Sequence, residues 1–159
     1  MPDLLFVCNA NRFRSVIAAE SFRSLLKTYQ TPGEWVVSSA GTRGIDGEHP
    51  LKAATNFCTS NGMSIEGFHA REINQNMVTE ADLIIVMTAD QKEAIECDFP
   101  QARGKTIQLT EICIDQVYDI PDPIISKDDD PQMIATEIYG LVKDGFNNIL
   151  IKLDASLSG

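Results

Sequence analysis

Residues 4–15 read Leu-Leu-Phe-Val-Cys-Asn-Ala-Asn-Arg-Phe-Arg-Ser and contain the transition that decides the fold. Residues 4–7 are a short apolar run of the kind that forms a buried strand. From Arg14 to Tyr29 the apolar residues recur at helical spacing, and Pro32-Gly33 would end this helix. A strand that runs directly into a helix is typical of a parallel strand–helix–strand unit. Folds of this kind bind ligands where a strand ends and the next helix begins.

The same alternation of strand and helix continues along the chain. It predicts a strand from Trp35 into the segment 38–42, strands at 83–87 and 106–109, and helices at 50–60, 89–96 and 131–153. On the last helix, six apolar residues are predicted to be buried: Ile134, Ile138, Leu141, Val142, Ile149 and Leu153. We therefore expect an α/β fold with three layers, in which helices cover both faces of a four-stranded parallel sheet, as a single domain over 1–159.

Cys8 follows the first predicted strand and has the neighbours that a nucleophilic cysteine requires. Attack on phosphorus needs a thiolate, which a helix N-terminus and a nearby arginine favour. Arg14 could grip phosphoryl oxygens with its forked guanidinium, while loop N–H groups bind the others. Ser15 could donate its hydroxyl to the thiolate, and Asn11 tolerates the left-handed backbone that such a loop requires. The pattern predicts a phosphate-binding catalytic loop that also includes Asn9, Ala10, Arg12 and Phe13; the alternative is a buried structural cysteine.

Composition excludes several other classes of function. The net charge is −10, from 23 acidic and 13 basic residues, and such a surface repels nucleic acid and anionic membranes. No apolar run has the roughly 20 residues of a membrane span, and the first residues lack the features of a signal peptide, so we expect a cytoplasmic protein. The four cysteines are too scattered for a disulfide scaffold, and no pair has the spacing of a structural zinc site.

Several segments resemble one known family, and together they extend over nearly the whole chain. They are the strand and Cys-x5-Arg-Ser loop at 5–15, Ser39-Ala40-Gly41-Thr42, His49-Pro50, Phe68-His69-Ala70-Arg71-Glu72, residues 81–87 and Pro121-Asp122-Pro123. On these motifs the chain is similar to the low-molecular-weight protein tyrosine phosphatases and the related thioredoxin-coupled arsenate reductases. The resemblance implies a phosphatase-like domain. We expect no cofactor and no metal, because Arg14 and the loop amides would neutralise the phosphoryl charge.

The resemblance also assigns roles to residues outside the loop. It implies that Asp122 is the general acid, and protonation of a leaving oxygen accelerates such reactions by about 10²–10⁴-fold. Prolines on both sides would hold this residue on a stiff segment after the fourth strand, with Asp119 as the second candidate and a simple turn aspartate as the alternative. Ser39 is implied to support Asn11, and His69 is expected to hydrogen-bond toward Asn11 and Ser39.

Five positions depart from the family pattern. Ala10 stands where the loop has a glycine, Phe13 where it has a second cysteine, and Val16 where a proline follows. Ile124 and Ile125 occupy the place of aromatic residues that flank the substrate ring, and losing such a pair removes about 0.5–1.5 kcal/mol of stacking. These differences leave the bond-breaking residues in place, so they concern substrate choice and rate.

Three functions are compatible with these residues. The first is a phosphomonoesterase that hydrolyses phosphotyrosine or a related phosphoryl group, on a protein or a small molecule, through a cysteinyl-phosphate. The second is arsenate reduction, which would need further thiols from Cys58, Cys97 or Cys113. The third is a phosphate-binding module without turnover. The substrate should be decided by the residues expected at the mouth: Asn9, Arg12, Thr42, Arg43, Ile124 and Ile125.

Overall fold

The strand next to the cysteine loop lies inside a four-stranded parallel sheet with the order β2-β1-β3-β4. A computed structural model describes residues 1–158. The strands are β1 (Asp3–Cys8), β2 (Val36–Gly41), β3 (Leu83–Val86) and β4 (Thr106–Gln108). The apolar runs at 4–7 and 83–86 are fully buried, as expected for the two central strands. The predicted sheet is confirmed.

Seven α-helices and one 3-10 turn connect and cover the strands. The helices are α1 (Arg14–Thr28), α2 (Lys52–Ser60), α3 (Gln75–Glu80), α4 (Ala89–Asp98), α5 (Leu109–Ile114), α6 (Pro131–Asp144) and α7 (Phe146–Ser158), and the turn is at Pro100–Ala102. One face of the sheet packs against α1, α2, α5, α6 and α7. The other face packs against α3, α4 and the 3-10 turn. The three-layer arrangement is therefore confirmed.

The strand register brings the carboxyl ends of three strands to one edge. Cys8 is paired with Gly41, and Val7 is paired with both Ala40 and Val86. Because all the strands are parallel, the segments that follow β1, β2 and β3 begin beside each other. This edge of the sheet holds the cysteine loop.

The last predicted helix is interrupted, which the sequence periodicity did not show. Helix α6 ends at Asp144, and α7 begins at Phe146. A Cβ atom on Gly145 would lie 2.4 Å from both Cβ and Sγ of Cys113. The chain therefore turns where α5 approaches the backbone too closely for any other residue, although all six predicted apolar side chains are buried.

Three further differences concern short elements. The second helix begins at Lys52, two residues after Pro50, because Leu51 has extended backbone with a ψ of 143°. Helices α3 and α5 were not predicted; each has six residues, too few for a clear helical period. Within residues 1–158, no helix combines the length and the apolar character needed to cross a membrane.

Strand β2 forms one edge of the sheet, and two arginines cover it. Arg23 donates to the carbonyl of Val37, and Arg71 Nε donates to the carbonyl of Ser39 at 2.8 Å. These bonds occupy carbonyl groups that could otherwise pair with another strand. Burial lowers the pKa of the Arg71 guanidinium, while nearby Asp3 raises it. The same edge strand carries Ser39 toward the cysteine loop.

Candidate active site

The thiol of Cys8 lies at the junction of β1 and α1. The strand ends at Cys8 and the helix begins at Arg14, so residues 9–13 form a tight connection. Ser15, in the first turn of α1, places its Oγ atom 2.9 Å from Cys8 Sγ. Both side chains are buried, and the thiol faces the amino end of the helix, where unpaired N–H groups favour negative charge.

Asn11 stabilises the conformation of this loop. Its φ is 58°, the left-handed conformation that its residue type was expected to supply. Its buried amide donates from Nδ2 to Ser15 Oγ at 2.9 Å and to Ser39 Oγ at 3.0 Å, and its Oδ1 accepts from the backbone N–H of Arg71 at 3.0 Å. Asn11 therefore joins the loop to α1, β2 and the segment before α3.

The expected hydrogen bonds from His69 to Asn11 and Ser39 are not formed, so that prediction is wrong. The Nδ1 atom of His69 is paired with the carbonyl of Gly67 at 3.0 Å, and the exposed ring packs against that of His49, with 5.1 Å between ring centroids. The contact with Asn11 comes instead from a main-chain N–H two residues later, at Arg71, and main-chain groups leave no mark in a sequence.

The motif alignment explains the error. Residues 68–72 resemble a His-x-Ala-Arg motif of the family, in which the histidine stands three positions before the arginine. Three positions before Arg71 this chain has Phe68. Phe68 lines a cavity together with Ser39 and Val16. A phenyl ring therefore occupies the neighbourhood of Ser39 in this protein.

Arg14 and Asp122 are brought together although they are far apart in sequence. Arg14 is 3% exposed; its NH1 donates to the carbonyl of Ile120 at 2.8 Å, and its NH2 lies 3.4 Å from Asp122 Oδ2. Asp122 Oδ1 accepts the backbone N–H of Ile124 at 2.9 Å. The carboxylate predicted to be the general acid thus lies beside the arginine of the cysteine loop.

Asp119, the second candidate for the acid, is engaged elsewhere. Its Oδ1 accepts from the backbone N–H of Ala89 at 2.9 Å and from Gln108 Nε2 at 3.2 Å. These bonds fasten the segment before Asp122 to the beginning of α4 and the end of β4. The geometry favours a structural role for Asp119 and leaves Asp122 as the carboxylate nearest to Arg14.

The remaining loop residues show how the departures from the family pattern are accommodated. Ala10 is not among the residues with positive φ, so the absence of a glycine causes no strain there. Phe13 and Val16 are buried in the core. Arg12 donates from Nε to the carbonyl of His49 at 2.8 Å. The same Nε atom lies 3.6 Å from a Glu48 carboxylate oxygen.

Close approach between the loop and β2 depends on Gly41. A Cβ atom there would lie 2.4 Å from the carbonyl oxygen of Asn9. The residues on either side hold the loop by main-chain bonds, from Thr42 N–H to Cys8 O and from Arg43 N–H to Asn9 O, both at 2.9 Å. The Ser-Ala-Gly-Thr segment therefore packs directly against the loop.

One contributor to this edge was missed by the sequence analysis. Gln91, in the first turn of α4, donates from Nε2 to Asn9 Oδ1 at 3.0 Å. Thr42 Oγ1 donates to the same oxygen at 3.3 Å. The two donors lie 82 and 33 residues from Asn9 in sequence, so only the fold reveals that they meet.

The other thiols are poorly suited to accept oxidising equivalents from Cys8. All four cysteines are free. Burial raises the pKa of Cys58 to about 11 and that of Cys113 to about 12, with smaller contributions from Glu20 and Asp144, so both are protonated at neutral pH. Cys97 is exposed, but it lies six residues beyond Gln91 on α4, about 9 Å farther along the helix axis. This arrangement gives arsenate reduction no support.

Comparisons with known proteins agree with this geometry. A family model described as low molecular weight phosphotyrosine protein phosphatase matches residues 3–158. The low molecular weight protein-tyrosine-phosphatase Etp of Escherichia coli strain K12 is 30% identical over 142 residues, which are 89% of this chain and 87% of that protein. The protein-arginine-phosphatase of Geobacillus stearothermophilus is 28% identical over 155 residues, 97% of this chain and 95% of that protein. The crystal structure of the tyrosine phosphatase Wzb from Escherichia coli K30 in complex with sulphate superimposes with a TM-score of 0.76 at 25% identity, covering 89% of this chain and 93% of that one.

Proposed function

Because the chain belongs to the low molecular weight phosphotyrosine protein phosphatase family, we propose that it hydrolyses phosphomonoesters through a phosphoryl group carried on Cys8. One observation carries this proposal: the first two residues of α1 contact the two proposed reacting groups. Arg14 contacts Asp122, and Ser15 contacts Cys8. A nucleophile, a phosphate-binding cation and a proton donor therefore stand at one end of α1. We expect the N–H groups of residues 9–13 to complete the arrangement by facing the phosphoryl group.

In the first step the Cys8 thiolate attacks phosphorus. A sulfur–phosphorus bond forms as the bond to the ester oxygen breaks, and Asp122 transfers its proton to that leaving oxygen. Arg14 and the loop N–H groups bind the equatorial oxygens, where negative charge is concentrated in the transition state. The alcohol or phenol then leaves, with the phosphoryl group on Cys8.

In the second step water attacks the same phosphorus. Asp122, now a carboxylate, accepts a proton from the water as the new phosphorus–oxygen bond forms. The sulfur–phosphorus bond breaks, and the Ser15 hydroxyl donates a hydrogen bond to the departing thiolate. Inorganic phosphate leaves and the enzyme returns to its starting state.

The charges at the mouth favour phosphotyrosine over phosphoarginine as the substrate. Relatives of both kinds exist, as the tyrosine phosphatase Etp and the arginine phosphatase named above show. Here Arg12 belongs to the loop, with Glu48 offsetting part of its charge, and the exposed Arg43 follows β2 with its N–H bonded to the carbonyl of Asn9. A phosphoarginine substrate would bring a third guanidinium to these two cations, whereas a tyrosine ring is neutral. Ile124 and Ile125, both exposed beside Asp122, offer an aliphatic wall for that ring.

The proposed setting is the cytoplasm, with a phosphorylated protein as the partner. Exposed Cys97 among four free cysteines fits a reducing compartment. The net charge of −10 makes nucleic acid an unfavourable partner.

Turnover by the Cys8→Ser variant tests the proposal. We expect the wild-type protein to hydrolyse para-nitrophenyl phosphate, and Cys8→Ser to lose this activity while Cys97→Ser, a matched change on α4, retains it. Two peptides of one sequence, carrying phosphotyrosine or phosphoarginine, then identify the substrate by kcat/KM. Hydrolysis that survives in Cys8→Ser would refute the chemistry, and a preference for phosphoarginine would refute the substrate assignment alone.

A further inference from the structure

The orientation of the Asn9 side-chain amide is determined by its neighbours. Gln91 is 2% exposed, and its Oε1 accepts the backbone N–H groups of Met87 at 2.8 Å and Thr88 at 3.1 Å. Because a backbone N–H can only donate, the atom of Gln91 that faces them must be its oxygen. The amide nitrogen of Gln91 therefore faces the other way, toward Asn9.

Two donors converge on one atom of Asn9. Gln91 Nε2 donates to Asn9 Oδ1 at 3.0 Å, and Thr42 Oγ1 donates to the same oxygen at 3.3 Å. The amide plane is thereby fixed, and Nδ2 points away from both partners. Among residues 1–158, no protein group accepts a hydrogen bond from Asn9 Nδ2. This nitrogen is nevertheless not one of the buried side-chain atoms that lack a partner, as Ser21 Oγ is. Its N–H groups are therefore open to solvent.

This free donor lies close to the place where the substrate would bind. Asn9 directly follows the nucleophile, and its partners come from the end of β2 and from the first turn of α4, which flank the loop. The half-buried Asn9 therefore presents this donor next to the nucleophile, on the side of the loop where β2 ends and α4 begins. A neutral donor that is already oriented costs little conformational entropy when it binds an acceptor.

We propose that Asn9 is a specificity-determining residue whose Nδ2 donates a hydrogen bond to a main-chain carbonyl of a phosphorylated polypeptide, and that Gln91 is its positioning residue. The inference rests on the proposed function and names the substrate class of the same site. A polypeptide carries carbonyl acceptors beside the phosphorylated side chain, whereas phenyl phosphate carries none beyond its phosphoryl group. The Asn9 amide therefore distinguishes a phosphotyrosine peptide from a small aryl phosphate with the same kind of leaving group.

The Gln91→Glu variant replaces the Nε2 donor that faces Asn9 with an acceptor oxygen, and it leaves the bonds to the neighbouring backbone in place. A carboxylate keeps the acceptor for the N–H groups of Met87 and Thr88, but it removes the donor to Asn9 Oδ1. The Asn9 amide must then turn over, so that Nδ2 faces the new carboxylate and Oδ1 faces the substrate. We expect kcat/KM for a phosphotyrosine peptide to fall roughly tenfold more than kcat/KM for phenyl phosphate.

A second variant and a control complete the measurement. The quantity compared is the ratio of kcat/KM for the phosphotyrosine peptide to kcat/KM for phenyl phosphate. Asn9→Leu should lower this ratio by a factor similar to that in Gln91→Glu. The double variant should lower it no further, because both changes remove the same interaction. Gln101→Glu adds the same charge at an exposed residue of the 3-10 turn on the other side of the sheet from α1, and it should leave the ratio at the wild-type value.

The outcomes are distinguishable. Equal losses on both substrates, or a wild-type ratio in Gln91→Glu and Asn9→Leu, would overturn the inference. If the wild-type protein hydrolysed neither substrate, the proposed function would fail instead. The inference would then be judged by the Kd with which the same variants bind the phosphopeptide. This Kd should rise roughly tenfold in Gln91→Glu and remain unchanged in Gln101→Glu.

Discussion

Arg14 makes two contacts at once, and its forked guanidinium is what allows this. NH1 binds the carbonyl of Ile120 and NH2 approaches Asp122, while Nε has no acceptor among residues 1–158. A lysine would offer one point charge in place of this fork and could not span the same groups. Arg14 therefore couples the phosphate-binding loop to the segment that carries the proposed acid.

Substitution of Asp122 separates its role from that of Asp119. Asp122→Asn should lower kcat/KM for phenyl phosphate by about 10²–10⁴-fold, because the amide cannot protonate the leaving oxygen. The loss of kcat/KM should be smaller for para-nitrophenyl phosphate, whose leaving group needs less protonation. Steady-state kinetics on both esters measures this difference.

Asp119→Asn is the matched control. Asparagine retains an oxygen that can accept from Ala89 and Gln108, so the loss of kcat/KM should be far smaller and the same for both esters. If Asp119→Asn lost more kcat/KM than Asp122→Asn, and the loss depended on the leaving group, Asp119 would be the general acid and Asp122 the structural residue.

At the residue scale, the sequence predicted the contacts that are local and missed those that depend on the fold. Cys8, Arg14 and Ser15 stand within eight positions, and their types alone indicated the contact between thiol and hydroxyl. The support of Asn11 was assigned to Ser39 and His69; Ser39 does contact Asn11, but a main-chain N–H at Arg71 takes the place of His69. Residue types say nothing about which main-chain groups come close in space.

At the scale of elements, the junction between α6 and α7 shows how one residue sets a helix boundary. Apolar residues keep a helical period through Gly145, so the sequence predicted one continuous helix. The interruption falls at Gly145, where α5 places Cys113 within 2.4 Å of the position that a Cβ atom would occupy, so only a glycine fits there. The strands, by contrast, were predicted well because the central two are apolar at every position.

Two alanine substitutions test this packing. Gly145→Ala should lower the free energy of unfolding by about 1–3 kcal/mol, since the new methyl group overlaps Cys113. Gly140→Ala, within α6, should raise it by about 0.5–1 kcal/mol, because open space surrounds that position and alanine favours a helix. Chemical denaturation measures both. A stabilised Gly145→Ala variant would show that the approach of Cys113 does not require a glycine at this position.

At the scale of the whole molecule, the parallel sheet collects residues that are remote in sequence. The loop after β1, the end of β2, the first turn of α4 and the segment around Asp122 meet because the strands end at one edge. The chain has a net charge of −10, yet Arg14 is buried at this edge and Arg12 lies beside it. Local cations and oriented N–H groups can therefore bind an anion within an acidic protein.

A phosphoryl group on Cys8 is the central claim of this account. Rapid mixing of para-nitrophenyl phosphate with the Asp122→Ala variant tests it most directly, because loss of the base slows hydrolysis of the intermediate while this leaving group still departs. We predict a burst of para-nitrophenol equal to the enzyme concentration, and mass spectrometry of quenched protein should locate the phosphoryl group on the peptide that contains Cys8. Turnover with no burst, or a phosphoryl group on any other residue, would contradict the account.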